Sequence, residues 1–425
     1  MVLSKTNNLT KHLPRLLRIV DKELTAADVR AAREYIAAYW PKLTRFHPQD
    51  NDNLLGLPEP YLVPAHEAGH EFDFDELYYW DSYFIIQGIL DQEHKKLVLG
   101  ILEDLLSLFQ RFNIIPNASR TYLMGRSQPP FLTSFIMDVY KVYNLDKQWL
   151  AKTMAVAKDE YRTVWMGDKK PNARLVYQGL SRYYDINYLD NLAETESGWD
   201  FTPRFNHHAL NYLPVDLNCL LYKYERDFAR ADRILGKDKE ADQWEKAAHD
   251  RRMTINRLMW SDLRSFYYDY NYVKRKRNNV DSLAAYYTIW TGLASNKQAL
   301  HLVSDLRKFE KRGGLATTDN AQVSQLMPGA QPMQWAYPNG WAPLHFIVVK
   351  GLQRYGYHED ARRIALKWLK TNLDWFNRYG VFLEKYNVVT PGKPPAKGVY
   401  PSQTGFGWTN SIFELFCKEF IGPMK

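Results

Sequence analysis

The feature that most constrains the fold of this chain is a helical periodicity that recurs along most of its length and is broken each time by a polar loop rich in Gly, Pro and Asn. Apolar residues three and four positions apart, such as Leu97, Ile101, Leu105 and Leu108, mark one buried face in each segment. We place helices, roughly in pairs, at 26–40, 80–91, 96–112, 131–143, 147–165, 214–235, 240–259, 280–292, 297–310, 319–326, 342–355, 358–377 and 410–420. Paired helices of this number predict an all-α toroid without a parallel sheet.

Local signals fix some of the helix ends. Thr25 precedes an Ala-rich helical run and is predicted to be its N-cap, and Thr409 or Asn410 is predicted to cap the last helix. Pro343 suits the first turn of a helix.

One structural domain is expected, because α/α barrels routinely reach 425 residues as a single unit. Residues 1–55 are predicted to form an N-terminal helical arm that packs on the barrel, and residues 56–425 to form the barrel. Short strands or hairpins are expected only at 265–273 and 381–386, where Tyr and Val alternate with polar residues.

Composition bears on the partner. Aromatic residues make up 15% of the chain, with 13 Trp and 29 Tyr. Such rings serve as core bulk, but they also line sugar sites, where an apolar face stacks on a pyranose ring. The net charge of +8 does not indicate nucleic acid, because Lys and Arg are scattered among 48 acidic residues. The dense basic run at 274–277 is interpreted as a solvated loop or hairpin turn.

Cysteine usage and the N-terminal segment suggest a compartment. Cys219 and Cys417 lie in apolar helical contexts without a CxxC pattern and are expected to be buried thiols. Residues 1–22 show no continuous apolar stretch with a cleavage site, and no later segment reaches the length of about 20 apolar residues that spans a membrane. These observations predict a cytoplasmic protein without a membrane partner, acting as a monomer or a simple homo-oligomer.

Two segments in the first half of the chain, 72–84 and 115–130, mix aromatic rings with hydrogen-bonding groups. Trp80 or Tyr79 could form a stacking platform for a sugar. The polar side chains suited to sugar hydroxyls are Asp81, Asn117, Arg126 and Gln128. The structural alternatives are a helix N-cap for Asp81 and an ion pair for Arg126.

Two acids and two indoles stand out later in the chain. Asp200 lies between large rings after Gly198, and burial there would raise its carboxyl pKa as a general acid requires; the alternative is a helix cap. Trp335 and Trp341 could wall a pocket or form a pair in the core. Glu384 follows an apolar strand, and its alternative role is a salt bridge to the adjacent Lys385.

Together these segments resemble glycoside hydrolase family 37, the trehalases. The resemblance covers about residues 55–420, with the motifs in the expected order. The motifs are Tyr79-Trp80-Asp81-Ser82-Tyr83-Phe84, Arg126-Ser127-Gln128-Pro129-Pro130, Ser197-Gly198-Trp199-Asp200-Phe201, Pro338-Asn339-Gly340-Trp341-Ala342-Pro343, Glu384-Lys385-Tyr386 and Gly405-Phe406-Gly407-Trp408-Thr409-Asn410.

The resemblance implies an (α/α)6 barrel whose loops form a sugar pocket on one face, and an inverting hydrolase that splits α,α-trehalose. It implies that Asp200 is the general acid and Glu384 the general base. The residues assigned to the substrate are Phe74, Tyr78, Trp80, Asp81, Asn117, Arg126, Gln128, Gly198, Trp335, Trp341, Gln403, Phe406 and Trp408. No cofactor or metal is implied, since protonation and water activation need only carboxyl groups.

The chain departs from the usual trehalase pattern at several positions around the second sugar. It has Asp73 in place of an Arg, Ala336 in place of an Asp and Val399 in place of an acidic residue. The usual Arg-Pro-Glu segment has no clear counterpart, and Asp185 and Asp190 are the candidates to replace it. These differences leave two alternatives open beside trehalose hydrolysis. One is hydrolysis of another α-glucoside, such as a glucosylated compatible solute or a short oligosaccharide, and the other is a sugar-binding protein without catalysis.

Overall fold

A computed structural model describes residues 24–66, 74–320, 333–396, 398 and 402–422. This part of the chain contains thirteen α-helices. They are α1 (Ala26–Leu43), α2 (Tyr79–Ile86), α3 (Lys95–Phe112), α4 (Leu132–Tyr143), α5 (Lys147–Glu160), α6 (Asp190–Glu196), α7 (Val215–Leu235), α8 (Asp238–Met259), α9 (Tyr287–Thr291), α10 (Asn296–Asp305), α11 (Ala342–Arg354), α12 (His358–Tyr379) and α13 (Gly407–Phe420). The predicted helix at 319–326 falls largely outside the described residues.

Six of these helices form a closed inner ring. α2 contacts α4, α4 contacts α7, α7 contacts α9, α9 contacts α11, α11 contacts α13, and α13 returns to α2. The remaining long helices pack outside: α1 on α12 and α13, α3 on α4, α5 on α4 and α7, α8 on α7, and α12 on α11 and α13. Inner and outer helices alternate along the chain, with α10 outside and α6 in a loop. This arrangement confirms the predicted (α/α)6 toroid.

Burial separates the two layers. Every residue of α2 and of α9 is buried, as expected for helices packed on all sides. The outer helices α8 and α12 bury only one stripe each and expose charged residues on the opposite face. The inner ring therefore carries most of the apolar core, and the loops at its ends are held by rigid elements.

The described strands are short and pair antiparallel. They are β1 (Thr44–Arg45), β2 (Tyr61–Leu62), β3 (Leu175–Tyr177), β4 (Leu180–Ser181), β5 (Tyr212–Leu213), β6 (Trp260–Ser261), β7 (Phe266–Tyr267), β8 (Tyr270–Asn271), β9 (Lys276–Arg277), β10 (Glu310–Lys311), β11 (Gly314–Leu315), β12 (Asn339–Trp341) and β13 (Lys385–Asn387). Strands β7, β8 and β13 lie in or overlap the two predicted strand regions. The expectation that strands occur only there is wrong, because ten further short strands in the described part of the chain form antiparallel pairs in the loops between helices. The basic run forms the exposed β8–β9 turn and β9, which confirms the predicted hairpin.

The predictions of helix ends are right at two positions and wrong at one. Thr25 caps α1 in a reciprocal capping box with Asp28, and Pro343 lies in the first turn of α11. The last helix begins at Gly407 with Phe406 as N-cap. Thr409 and Asn410 therefore lie inside the first turn of α13, where both are buried together with Trp408, so neither is at the N-cap position.

The first described helix is joined to the last one. Arg33 on α1 donates to both carboxylate oxygens of Glu414 on α13 at 2.8 and 2.7 Å, and also to the backbone carbonyl of Gly422. β1, which precedes residue 55, pairs with β2, which follows it, so the two sides of the predicted boundary share one small sheet. The division at residues 55 and 56 stays a prediction.

Cys219 and Cys417 are both buried free thiols, as predicted. Among the described residues, no helix combines the length and the apolar character that crossing a membrane requires.

Candidate active site

The predicted site residues gather at the N-terminal ends of the inner helices. Trp80 and Asp81 lie in the first turn of α2, and Gln128 precedes α4. Asp200 lies in the loop before α7, Trp335 precedes α11, and Gln403 precedes α13. Because inner and outer helices alternate, the chain returns to the same end of the ring before each inner helix begins. Residues that are distant in sequence therefore lie together at this end.

Hydrogen bonds tie these loops together. The backbone N–H of Trp80 donates to Oε1 of Gln128 at 2.9 Å, and the backbone N–H of Trp335 donates to the carbonyl of Phe201 at 3.2 Å. β12 pairs with β13, and Trp341 and Lys385 are directly opposite each other on the two strands. Hydrogen bonds to the main chain thereby fix these loops relative to one another.

Asp200 occupies a half-buried position after the fully buried Trp199. The pKa of its carboxyl is raised to about 7, first by burial and then by the negative charge of Glu384. Its own backbone N–H, Arg126 and Lys385 oppose the shift. A carboxyl of this kind keeps its proton to near neutral pH, which agrees with the expectation from its aromatic neighbours.

Glu384 is buried and directly paired with a cation. Nζ of Lys385 lies 2.6 Å from Oε2 of Glu384, and both side chains are almost inaccessible to solvent. The salt bridge that was the structural alternative for Glu384 is therefore present. It lies inside the site, because the charge of Glu384 acts on Asp200 and on Asp81.

Asp81 is a third buried acid in the same cluster. Its pKa is raised to about 8, mainly by burial and also by the charges of Glu384 and Asp200, while a hydrogen bond with Gln128 lowers it. Tyr78, not Asp81, occupies the N-cap position of α2. The alternative role of Asp81 as a helix cap is therefore wrong.

The segment 126–128 is held rigidly beside these acids. Asn117 donates from Nδ2 to the carbonyl of Ser127 at 3.1 Å, and its backbone N–H donates to the carbonyl of Arg126 at 2.9 Å. Arg126 pairs with the fully buried Asp185 at 3.0 Å. The alternative of a structural ion pair is thus realised for Arg126, while its charge also reaches Asp200.

Aromatic rings cluster near the acids, and the indole N–H of Trp408 donates to the backbone carbonyl of Glu384 at 3.1 Å. Trp80 contacts Trp335 and Trp408 at centroid distances of 5.7 and 6.0 Å, and Trp335 stacks on Trp341 at 3.8 Å. Phe406 packs on Trp408 at 4.5 Å. The predicted indoles therefore form one cluster beside the acids, and Trp335 and Trp341 are also a core pair, since both are buried.

The remaining predicted residues differ in how closely the structure links them to the acids. Gly198 has φ +70° and leaves no room for a side chain, because a Cβ there would lie 2.6 Å from the Trp80 ring. The carbonyl of Gln403 accepts from the backbone N–H of Glu384 at 3.0 Å. Tyr78 lies close enough to Asp81 for its carboxylate to raise the tyrosine pKa, after burial as the main cause. Phe74 contacts the Tyr78 ring edge-on at 5.9 Å.

The positions that depart from the trehalase pattern are only partly described. Ala336 is buried beside Trp335. Asp73 and Val399 lie outside the described residues. Asp185 contacts Arg126 and Asn187 and is fully buried, and Asp190 accepts from the backbone N–H of Leu210 at 2.9 Å.

Sequence reasoning missed two buried acids that hold the site. Glu196, at the end of α6, accepts from the backbone N–H of Ser127 and of Tyr184, each at 2.7 Å, and pairs with Arg174. Glu194 accepts from the backbone N–H of Thr202 at 2.8 Å, and burial raises its pKa to about 8. Their signal was two acids in a short segment just before Ser-Gly-Trp-Asp, which lacks the apolar periodicity used to locate helices.

Comparison with known proteins gives a consistent result. A sequence model of the trehalase family matches residues 10–191 and 187–420. A periplasmic trehalase of Escherichia coli O8 (strain IAI1) is 32% identical in an alignment that covers 91% of this chain and 74% of that protein. A periplasmic trehalase of Escherichia coli O17:K52:H18 is 31% identical over the same shares.

Solved structures share the fold. The neutral trehalase Nth1 from Saccharomyces cerevisiae superposes with a TM-score of 0.73 at 27% identity, covering 94% of this chain and 80% of that one. A GH63 mannosylglycerate hydrolase from Thermus thermophilus, in complex with glucose, superposes with a TM-score of 0.67 at 17% identity over 90% of this chain and 99% of that one.

The relatives correct one prediction. The expected cytoplasmic location is wrong, because the similar curated proteins are named periplasmic trehalases. The expectation rested on the absence of a leader-like stretch in residues 1–22 and on two unpaired cysteines. Buried thiols are compatible with either compartment, since a helical barrel with a large apolar core does not depend on disulfides.

Proposed function

This chain belongs to the trehalase family and is a glycoside hydrolase, and we propose that it hydrolyses α,α-trehalose to two glucose molecules by a single displacement with inversion. Asp200 is the general acid and Glu384 the general base. The observation that carries this assignment is the pairing of a carboxyl whose pKa is raised to about 7 with a second carboxylate whose charge contributes to that shift. An acid that keeps its proton to near neutral pH, with a second carboxylate at the same end of the ring, suits these two roles.

Each acid has one task in the proposed reaction. Asp200 gives its proton to the glycosidic oxygen as the bond to the anomeric carbon breaks. Glu384 removes a proton from a water molecule that attacks the opposite face of the same carbon. The attacking oxygen becomes the new hydroxyl, and the configuration at that carbon inverts. A separation of roughly 6.5 to 9.5 Å between the carboxyl groups leaves room for the water.

Lys385 supports the base in this scheme. Its ammonium lies 2.6 Å from Oε2 of Glu384 and holds that carboxylate in a fixed position beside the site. The indoles around the pair exclude bulk solvent, which strengthens these charge interactions.

The assigned binding residues divide by chemistry. Phe74, Tyr78 and the indoles of the cluster offer ring faces and edges to the sugar. Asp81, Asn117, Arg126 and Gln128 offer polar groups to its hydroxyls. The backbone bonds of Asn117 and Gln128 support this proposal, because a binding group must be held in place to discriminate between hydroxyl patterns.

The substrate proposal is tested by glucose release from trehalose and from a panel of other α-glucosides, with Asp200→Asn as the control. We expect trehalose to be the preferred substrate and the variant to lose turnover by at least about 10³-fold while it keeps the wild-type melting temperature. Preference for another α-glucoside would contradict trehalose as the substrate. Wild-type turnover no faster than the Asp200→Asn variant would contradict catalysis altogether.

We also propose a periplasmic location, in line with the names of the relatives, and a monomer or a simple homo-oligomer as the active form. Cell fractionation beside a periplasmic marker enzyme tests the first. Light scattering after size-exclusion chromatography tests the second. Activity confined to the cytoplasmic fraction, or a large heterogeneous assembly, would contradict these proposals.

A further inference from the structure

A stack of cations and aromatic rings runs behind the two catalytic acids. The Arg204 guanidinium carbon lies 4.5 Å from the centre of the Trp199 ring, and Trp199 stacks on Trp335 at 5.5 Å. Trp335 lies parallel to Trp341 at 3.8 Å, with 2° between their planes. Nζ of Lys385 then lies 5.0 Å from the centre of the Trp341 ring. Three indoles are thus enclosed between two cations.

The two ends of this stack lie next to the two acids. Trp199 precedes Asp200 in sequence, so its ring and the backbone of the acid move together. Lys385 follows Glu384 and is paired with its carboxylate at 2.6 Å. We call Trp199, Trp335 and Trp341 the indole stack. It begins with Trp199, the neighbour of Asp200, and ends against Lys385, the neighbour of Glu384, so packing contacts connect the positions of the two acids.

Four hydrogen bonds hold the Arg204 guanidinium in place, in addition to its contact with Trp199. It donates to both oxygens of Asp216 on α7 at 2.9 and 2.6 Å, and to both oxygens of Asp269 at 3.0 and 2.8 Å. Asp269 also accepts from the backbone N–H of Val215 at 2.9 Å. The guanidinium plane is therefore locked to the start of α7, and Arg204 is fully buried.

We propose that Arg204 is a positioning residue for the reaction: it caps the indole stack at one end, Lys385 caps it at the other, and the stack sets the separation of Asp200 and Glu384. This inference rests on the acid and base roles proposed above. Arg204 acts through Trp199 and does not touch the reacting atoms.

The chemistry of the stack suits this task. A planar guanidinium that is held by two carboxylates presents a rigid face to the Trp199 indole, which a lysine substituted for Arg204 would replace with a point charge on a flexible stem. The indole stack is buried and offers few alternative rotamers. Misplacement of a catalytic group by about 1 Å can cost about 100-fold in rate, so small changes at Arg204 are expected to reach the chemistry.

A purely structural role for Arg204 is the competing explanation, and the chain offers a matched control. Arg251 is also a buried arginine that pairs with an acid, Glu225, at 2.8 Å, and with the Tyr161 hydroxyl at 3.1 Å. Arg251 lies on α8 and its partner Glu225 on α7, and Arg251 is not part of the indole stack. Arg251→Lys therefore disturbs a comparable buried ion pair away from the acids.

The experiment measures kcat, KM and the pH dependence of kcat for Arg204→Lys, Arg251→Lys and Asp200→Asn. We expect Arg204→Lys to lower kcat by about 10- to 100-fold with KM changed less than about threefold. In the pH profile of kcat, activity falls on the alkaline side as Asp200 loses its proton. For Arg204→Lys we expect this fall to occur at lower pH, because a displaced Asp200 is better solvated and gives up its proton more easily. Arg251→Lys should keep kcat within about twofold of wild type, at a comparable loss of melting temperature.

The outcomes separate this inference from the proposed function. If Asp200→Asn is inactive while Arg204→Lys keeps the wild-type kcat and pH profile, the positioning role is wrong and the catalytic roles stand. Equal losses of kcat in Arg204→Lys and Arg251→Lys would also overturn it. If Asp200→Asn remains active, the proposed function fails and this inference fails with it.

Asp269→Asn provides the same test if Arg204→Lys does not fold. This variant removes one of the two carboxylates that hold the guanidinium and leaves the pair with Asp216 in place. We expect a smaller loss of kcat, with the same displacement of the alkaline limb. A folded Asp269→Asn enzyme with wild-type kcat and pH profile would overturn the proposal.

Discussion

Single residues in this site owe their chemistry mainly to burial. Asp81, Asp200 and Glu194 are all acids whose carboxyl pKa is raised to between about 7 and about 8, and burial is the largest cause in each case. Only Asp200 among them combines a half-buried side chain with a loop position next to the site. A proton donor needs both a raised pKa and a side chain that is accessible from the site, whereas an acid that only stabilises a loop can be fully buried.

The pH dependence of the reaction follows from Asp200. Because its pKa is raised to about 7 and the acid must be protonated to act, kcat/KM should fall as pH rises through about 7. A pH series with trehalose measures this limb. A rate that rises steadily from about pH 6 to about pH 9 would contradict the assignment of Asp200 as the acid.

Asp104→Asn is the control for that measurement. Asp104 is fully buried on the outer helix α3, and burial raises its pKa to about 8 as well. It contacts the backbone N–H of Glu59 at 2.9 Å and lies outside the candidate site. Its variant should leave the alkaline limb of kcat/KM in place.

Gly198 gives a second prediction at this scale. Its φ of +70° and the approach of the Trp80 ring, 2.6 Å from the position of a Cβ, exclude a side chain. Gly198→Ala should therefore displace Asp200 and lower kcat by about 100-fold. Steady-state kinetics with trehalose checks this.

Gly236→Ala separates backbone strain from the clash with Trp80. Gly236 has a similar φ of +76°, but no heavy atom lies within 4 Å of its Cβ position. This variant should lose some stability and keep its kcat. Equal kcat for the two alanine variants would show that the contact between Gly198 and Trp80 has no role in placing the acid.

At the scale of helices and strands, the site is built by the N-terminal ends of the inner ring. β12 and β13 bring the loop with Trp341 against the loop with Lys385. In α6, Glu194 accepts from the backbone N–H of Thr202 in the loop of Asp200, and Glu196 accepts from that of Ser127. The inner helices supply rigid starting points, and the long loops supply the chemistry. This division explains why loops of this length can hold catalytic groups in fixed places.

The attachment of α1 can be tested by breaking its buried ion pair. Arg33→Met removes both hydrogen bonds to Glu414 and leaves that acid with only the more distant Lys418, at 3.7 Å, so the protein should lose about 3 kcal/mol of unfolding free energy. Chemical denaturation measures the loss. Arg30→Met, an exposed position on the same helix, should change it by less than about 0.5 kcal/mol.

Equal stability of the Arg33 and Arg30 variants would contradict a packing role for α1. The kcat of both variants should equal that of the wild type, since α1 contacts α12 and α13 on the outside of the ring. A selective loss of kcat in Arg33→Met would instead connect this helix with the site.

At the scale of the whole molecule, periodicity predicted the toroid because each long helix has its own apolar stripe. It did not reveal α6, which has seven residues and contains buried acids in place of an apolar face. The rings beside Asp200 predicted its raised pKa, since they lower the local polarity, whereas the assignment of Glu384 as the base came from the resemblance to the trehalases. The loop motifs did not reveal Arg204, because its partners Asp216 and Asp269 lie 12 and 65 positions away in sequence.

In the proposed reaction, Asp200 and Glu384 act from opposite faces of one anomeric carbon, with the attacking water molecule between that carbon and Glu384. Proton NMR of the first products from trehalose tests this arrangement most directly, provided that spectra are taken before mutarotation mixes the anomers. One displacement with inversion predicts equal amounts of β-glucose, from the attacked ring, and α-glucose, from the leaving group. The appearance of α-glucose alone would contradict it.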